Sequence, residues 1–111
     1  MKDLERVELQ IEEAKKIQKL RDAAIALTKN MHYKLVIEEG YFRDEASRLC
    51  LAKMASMSPT QQEKIDKMQY GPGALMEYIS ETIRRGQDVD NGIHELQETH
   101  TELLKEEANV A

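Results

Sequence analysis

The chain has no tryptophan and one phenylalanine, and aromatics make up 5% of its 111 residues. Sheet cores draw on aromatic and β-branched side chains. No stretch here alternates apolar and polar residues in such a composition, so a sheet domain is excluded. There is one cysteine, Cys50, which cannot form an internal disulfide. That rules out a small secreted fold stapled by cystines. Within Leu49-Cys50-Leu51 the thiol reads as buried and inert. A reactive thiol needs a positive, accessible setting. Arg48 and Lys53 are near in sequence, but nothing else completes such a site. No apolar run approaches the roughly 20 residues that a membrane span needs. The start, Met1-Lys2-Asp3-Leu4-Glu5-Arg6, has no apolar leader region. The expectation is a protein of a reducing cytoplasm that does not engage a membrane. Net charge is −5. The only dense basic pair is Arg84-Arg85, with Lys15, Lys16, Lys19 and Arg21 scattered. The electrostatic footprint of a nucleic-acid binder is missing.

What is present favours helix. Leu, Ile, Met, Ala, Glu, Lys, Gln and Arg dominate, all good helix formers. The expected fold is all-α: one domain over 1–111, a small helical bundle with long antiparallel coiled-coil-like helices, about four in number. The first should cover 3–29, with Asp3 as its cap. Its stripe is Leu4, Val7, Ile11 and Ala14, then Ile17, Leu20, Ala24, Leu27 and Met31. The step from Ala14 to Ile17 shifts the stripe around the helix. Asn30 marks the helix end or the next start. A second helix should cover 31–56 with two apolar faces. One is Tyr33, Val36, Ile37, Gly40 and Tyr41, and the other Leu35, Phe42, Ala46 and Leu49. Gly40 either admits another backbone or ends a helix. Ser58-Pro59-Thr60-Gln61 reads as a capping box with proline at the first helical position. A short helix over 59–70 should follow, with Ile65, Met68 and Tyr70 available for packing. Gly71-Pro72-Gly73 is then a turn or a sharp kink.

The last helix, expected over 73–107, carries the clearest signal. Leu75, Ile79, Thr82, Gly86, Val89, Ile93, Leu96, His100 and Leu103 alternate four and three apart. This heptad seam needs another helix against it. Leu75, Ile79, Val89, Ile93, Leu96 and Leu103 are its apolar interaction residues. Asp90-Asn91-Gly92 is a turn signal, so the helix either breaks between 86 and 92 or runs through, as the unbroken phase requires. The tail from Glu106 should fray. The seam closes either on the first helix or on another chain.

Chemistry is hard to find. His94-Glu95 is not followed by the second histidine of a zinc-protease motif. His94 and Glu98 share a face, but one such pair does not make a metal site. His32 stands alone. His100 falls on the seam, as an ordinary core histidine or a pH-sensitive one. Counting from Asp88, a calcium loop would need glycine at position six and glutamate at position twelve, where Ile93 and Thr99 stand. No phosphate loop, nucleophile elbow or carboxylate pair across a cleft is present. An enzyme, a cofactor and a metal are therefore not expected. Met54, Met57, Met68 and Met76 flank the turns around the short helix. They read either as core filler or as an adaptable docking patch.

The run Val36-Ile37-Glu38-Glu39-Gly40-Tyr41-Phe42-Arg43-Asp44-Glu45-Ala46-Ser47-Arg48-Leu49 resembles one in small uncharacterised proteins of tailed bacteriophages. The opening Leu4-Glu5-x-Val7-Glu8-Leu9-x-Ile11-Glu12-x-Ala14 and the entry Gly73-Ala74-Leu75 are similar to the same group. The resemblance implies a phage origin and a compact helical fold, located in the host cytoplasm or in the virion. Its motifs are packing signatures and carry no chemistry. The expected function is a structural or assembly role, virion-associated and scaffold-like, through helix–helix packing with a protein partner, itself included. The alternative is a small regulator that binds a host or phage protein.

Overall fold

The computed structural model describes residues 2–55 and 58–110. Among these the chain is all-α, with no strand. Three helices form rather than about four. Helix α1 is Asp3–Lys29. Helix α2 joins an α turn Met31–Tyr33, a π segment Lys34–Glu45 and an α segment Ala46–Ala55. Helix α3 is Pro59–Val110.

The 59–70 and 73–107 helices expected from sequence are thus one. Pro72 lies inside α3. It removes the hydrogen bond that its own N–H would make one turn back, and its ring crowds the carbonyl of Met68. Gly71, with no β-carbon, spares the clash that a proline ring makes with the residue before it, and Pro72 is buried. The helix also runs through 86–92, as the heptad phase requires, and past Glu106, where fraying was expected. Ser58 caps it: the backbone N–H of Gln61 donates to Ser58 Oγ (3.4 Å) and that of Gln62 to the Ser58 carbonyl (3.0 Å). Asn30 caps α2 in the same way, accepting from the N–H groups of His32 (2.9 Å) and Tyr33 (3.1 Å). At α1 the first helical bond runs from the Arg6 N–H to the Lys2 carbonyl. Asp3 is therefore the first helical residue and not the cap. Its charge suits the positive end of the helix dipole.

Two compact units divide the chain: Met1–Ala24 with Thr82–Ala111, and Ile25–Glu81. In the first, α1 and the end of α3 pack antiparallel. Glu8 meets His100, and Arg21 meets Asp90. The inward face of α1 departs from the sequence expectation. Leu4, Val7, Ile11 and Ala14 face in and Ile17 and Ala24 are half-buried, but so are Gln18 and Arg21, which continue the stripe without a phase shift, while Leu20, Leu27 and Met31 are exposed. The heptad is unbroken; two of its positions are polar.

In the second unit, α2 runs antiparallel to the start of α3, with Lys53 paired to Asp66 at 2.5 Å. A π turn holds about one residue more than an α turn. The two apolar faces expected for this helix therefore merge into one inward face. Tyr33 and Leu49 are buried, and Ile37, Tyr41, Phe42 and Ala46 are half-buried between them. Leu35 and Val36, each expected on a stripe, are exposed. Gly40 does not break the helix, and no second backbone approaches it; its near neighbour is the Leu35 carbonyl of the same π segment. Burial raises the Tyr33 phenol above its ordinary range, with the nearby Glu38 charge adding to the effect. Cys50 is exposed, against the buried thiol expected. The helical period turns Leu49 inward, at 2% exposure, and leaves its two followers outside.

Candidate interaction surfaces

The seam residues of α3 follow one side of the helix. Thr82 and Gly86 are buried, and Leu75, Ile79, Val89, Ile93, Leu96, His100 and Leu103 are all half-buried. Their neighbours Met76, Tyr78 and Leu104 are exposed. Within the first unit the seam closes on α1 of the same chain. Leu103 and Leu4 line one hollow, and Val89 lines another with Ala14 and Ile17.

Near the end of this antiparallel pair at which Ala24 and Thr82 lie sits a polar layer. Arg21, only 12% exposed, donates from both terminal nitrogens to the Asp90 carboxylate, at 2.6 and 3.1 Å. Gln18 Nε2 donates to the same carboxylate at 2.8 Å. Arg21 Nε donates to Asp22 at 2.6 Å. The guanidinium of Arg21, and after it the amide of Gln18, hold the Asp90 carboxyl below the usual range. The stem of Arg21 lies flat against Gly86, where a β-carbon would overlap its Cβ and Cγ. Four residues thus work together: a glycine that makes room, an arginine laid across it, and an aspartate and glutamine that hold the head. A two-pronged arginine–carboxylate contact fixes both distance and orientation. The pair favours this register, since a slip takes the largely covered Arg21 guanidinium away from the carboxylate that satisfies it. Sequence reasoning missed this layer because Gln18 and Arg21 look like a solvated face. Extending the four–three count from Leu4 would have found both.

His100 Nε2 lies 3.2 Å from Glu8 Oε1, also across this unit. His94 and His32 are exposed. Among the described residues, no three His, Cys, Asp or Glu side chains converge to hold a metal ion. Among them, too, no helix is long and apolar enough to cross a membrane.

Three of the four methionines singled out in the sequence lie at the surface. Met54 is 79% exposed, Met68 44% and Met76 48%. Met57 lies outside the described residues. In the second unit, Met68 borders a hollow of about 480 Å³ between α2 and α3, floored by Leu49, Ala52, Ala55 and Ile65 and rimmed by Arg48 and Lys64. Arg48 is held by Glu45 at 2.5 Å, and this bond draws the Glu45 carboxyl below its ordinary range. In the first unit, a hollow of about 520 Å³ is lined by Arg6, Leu9, Gln10, Glu13, Ala14, Ile17 and Val89. These surfaces offer apolar contact framed by charge.

No protein family, no curated protein and no solved structure matches this chain.

Proposed function

We propose that this is a non-enzymatic helical protein with a structural or assembly role, working through helix–helix packing. One observation carries the reading. Among the described residues the buried apolar side chains are Val7, Ala14, Tyr33, Leu49 and Pro72, while Leu9, Leu20, Leu35, Val36, Leu51 and Met54 are among the large ones left exposed. A chain of this size with so thin a core is marginal alone. Association is the ordinary way to cover such side chains. The test is molar mass by size-exclusion chromatography with light scattering over a wide concentration range. Species heavier than the 12.8 kDa chain support the reading. The mass of one chain at every concentration refutes self-assembly.

A second reading is a small regulator that docks on a host or phage protein. The closure of the α3 seam on α1 favours it, since the strongest apolar stripe is then spent within the chain. Met54, Met68 and Met76 would be the contact, and the net charge of −5 would speed encounter with a basic target.

A further inference from the structure

In sequence the pair Asn91-Gly92 is a turn signal, yet α3 runs straight through it. Both residues are exposed, and a β-carbon at Gly92 would meet nothing within 4 Å. Water therefore reaches this peptide bond. Asparagine before glycine is also chemically labile, because no side chain on the following residue shields its backbone nitrogen. On either side, however, the helix is held down. Val89 and Ile93 are half-buried on the seam, and the Asp90 carboxylate is bound by Arg21 and Gln18 of α1. A reactive, solvent-exposed dipeptide thus lies in a stretch that the first unit clamps into helix.

We propose that Asn91-Gly92 is a deamidation site kept unreactive by the closed pair of α1 and α3. In the reaction the Gly92 backbone nitrogen bonds to Cγ of Asn91. The Cγ–Nδ2 bond breaks, and ammonia leaves with the proton of the Gly92 N–H. Water then opens the five-membered imide. Cleavage at Cγ leaves aspartate in an ordinary backbone. Cleavage at the main-chain carbonyl leaves isoaspartate, whose backbone runs through an extra methylene. No oxidant or reductant takes part. The helix blocks the first step in two ways. It directs the Gly92 N–H at the carbonyl four residues back, and it fixes the Asn91 dihedrals so that the nitrogen does not reach its neighbour's side chain. The reaction waits for local opening, so its rate follows the fraction of time that this stretch is open. Opening breaks the contacts of Asp90, so Arg21, 69 residues away in sequence, sets that fraction together with Gln18. Isoaspartate beside Asp90 interrupts the helical hydrogen bonds, and the polar layer does not re-form in its register. An opening of the first unit is thereby made permanent, whatever partner the chain takes.

The experiment incubates the full chain in mildly alkaline buffer and follows residue 91 by peptide mapping, which separates asparagine, aspartate and isoaspartate. Wild type is compared with Arg21→Ala and with the milder Gln18→Ala, both on α1 and both leaving the dipeptide itself intact. Each is checked for wild-type helix content by circular dichroism. Wild type in concentrated urea gives the rate of the open chain. Folded wild type should react more slowly than that by about tenfold or more. Folded Arg21→Ala should react several-fold faster than folded wild type, with Gln18→Ala between them. The purified isoaspartyl form should melt below both the unreacted chain and the Asn91→Asp variant, which carries the same added charge on an ordinary backbone. A folded wild type that reacts as fast as the chain in urea overturns the proposal. So does a rate that neither α1 variant moves, or an isoaspartyl form that melts with the Asn91→Asp variant.

Discussion

Replacing Gly86 by alanine tests the packing of the polar layer directly. Two effects oppose each other. Inside a helix, alanine is favoured over glycine by about 1 kcal/mol. Against that, the new β-carbon overlaps Cβ and Cγ of Arg21, atoms tied closely to the α1 backbone. They cannot swing aside as the tip of a flexible side chain does, so the two helices must part. Overpacking of this kind costs about 1–3 kcal/mol. The net effect expected for Gly86→Ala is a loss on the order of 1–2 kcal/mol once propensity is subtracted. Gly92→Ala is the internal control. It lies in the same helix and unit, and a β-carbon there meets nothing within 4 Å. It should stabilise the protein by about 0.5–1 kcal/mol. Thermal melts followed by circular dichroism read the contrast. Near this chain length about 1 kcal/mol moves the midpoint by roughly 4 °C, so the two variants should shift in opposite directions. If Gly86→Ala stabilises as much as Gly92→Ala does, the close approach of Arg21 to α3 is wrong.

Asp90→Asn should lower the melting temperature at neutral pH, because the Arg21 guanidinium loses its carboxylate. The Asp90 carboxyl titrates below its ordinary value in the folded chain, so its contribution is fully present above about pH 3.9 and fades as pH falls through the lowered value. Melting temperatures measured from pH 6 downward should therefore fall less steeply for Asp90→Asn than for wild type; parallel curves would show that the pair adds nothing. In the second unit, a β-carbon at position 71 meets the tip of the Tyr41 side chain, so Gly71→Ala should destabilise less than Gly86→Ala. Adding Tyr41→Phe should recover most of that loss in a urea titration, because the atom in the way is gone; failure to recover would place the strain elsewhere. Ile93→Asp sets an unpaired charge on the half-buried seam and should cost about 2 kcal/mol or more. A variant with unchanged mass and melting temperature would mean that the seam bears no packing.

The candidate surfaces were unevenly legible. The α3 seam could be read residue by residue, because apolar side chains at a fixed period have one geometric meaning on a helix. The Met54, Met68 and Met76 patch could be named, but its exposure could not, since a methionine is equally at home in a core. Gln18, Arg21 and Asp90 were hidden, because a polar residue on a seam looks the same in sequence as one facing water. Only the partner opposite tells them apart.

The sequence by itself determined the helical class, the limits of α1, the caps at Asn30 and Ser58 and the heptad phase of α3. These depend on neighbours within a turn or two, which the chain order already supplies. Tertiary structure decided the rest. It carried α3 through Gly71-Pro72-Gly73, widened α2 into a π segment that turns one face inward, exposed Cys50 and paired Arg21 with Asp90 across Gly86. Each of these depends on a second helix arriving from far away in sequence. The free energy of a broken hydrogen bond, an extra residue per turn or a half-buried charge is settled by what lies opposite, and not by what comes next along the chain.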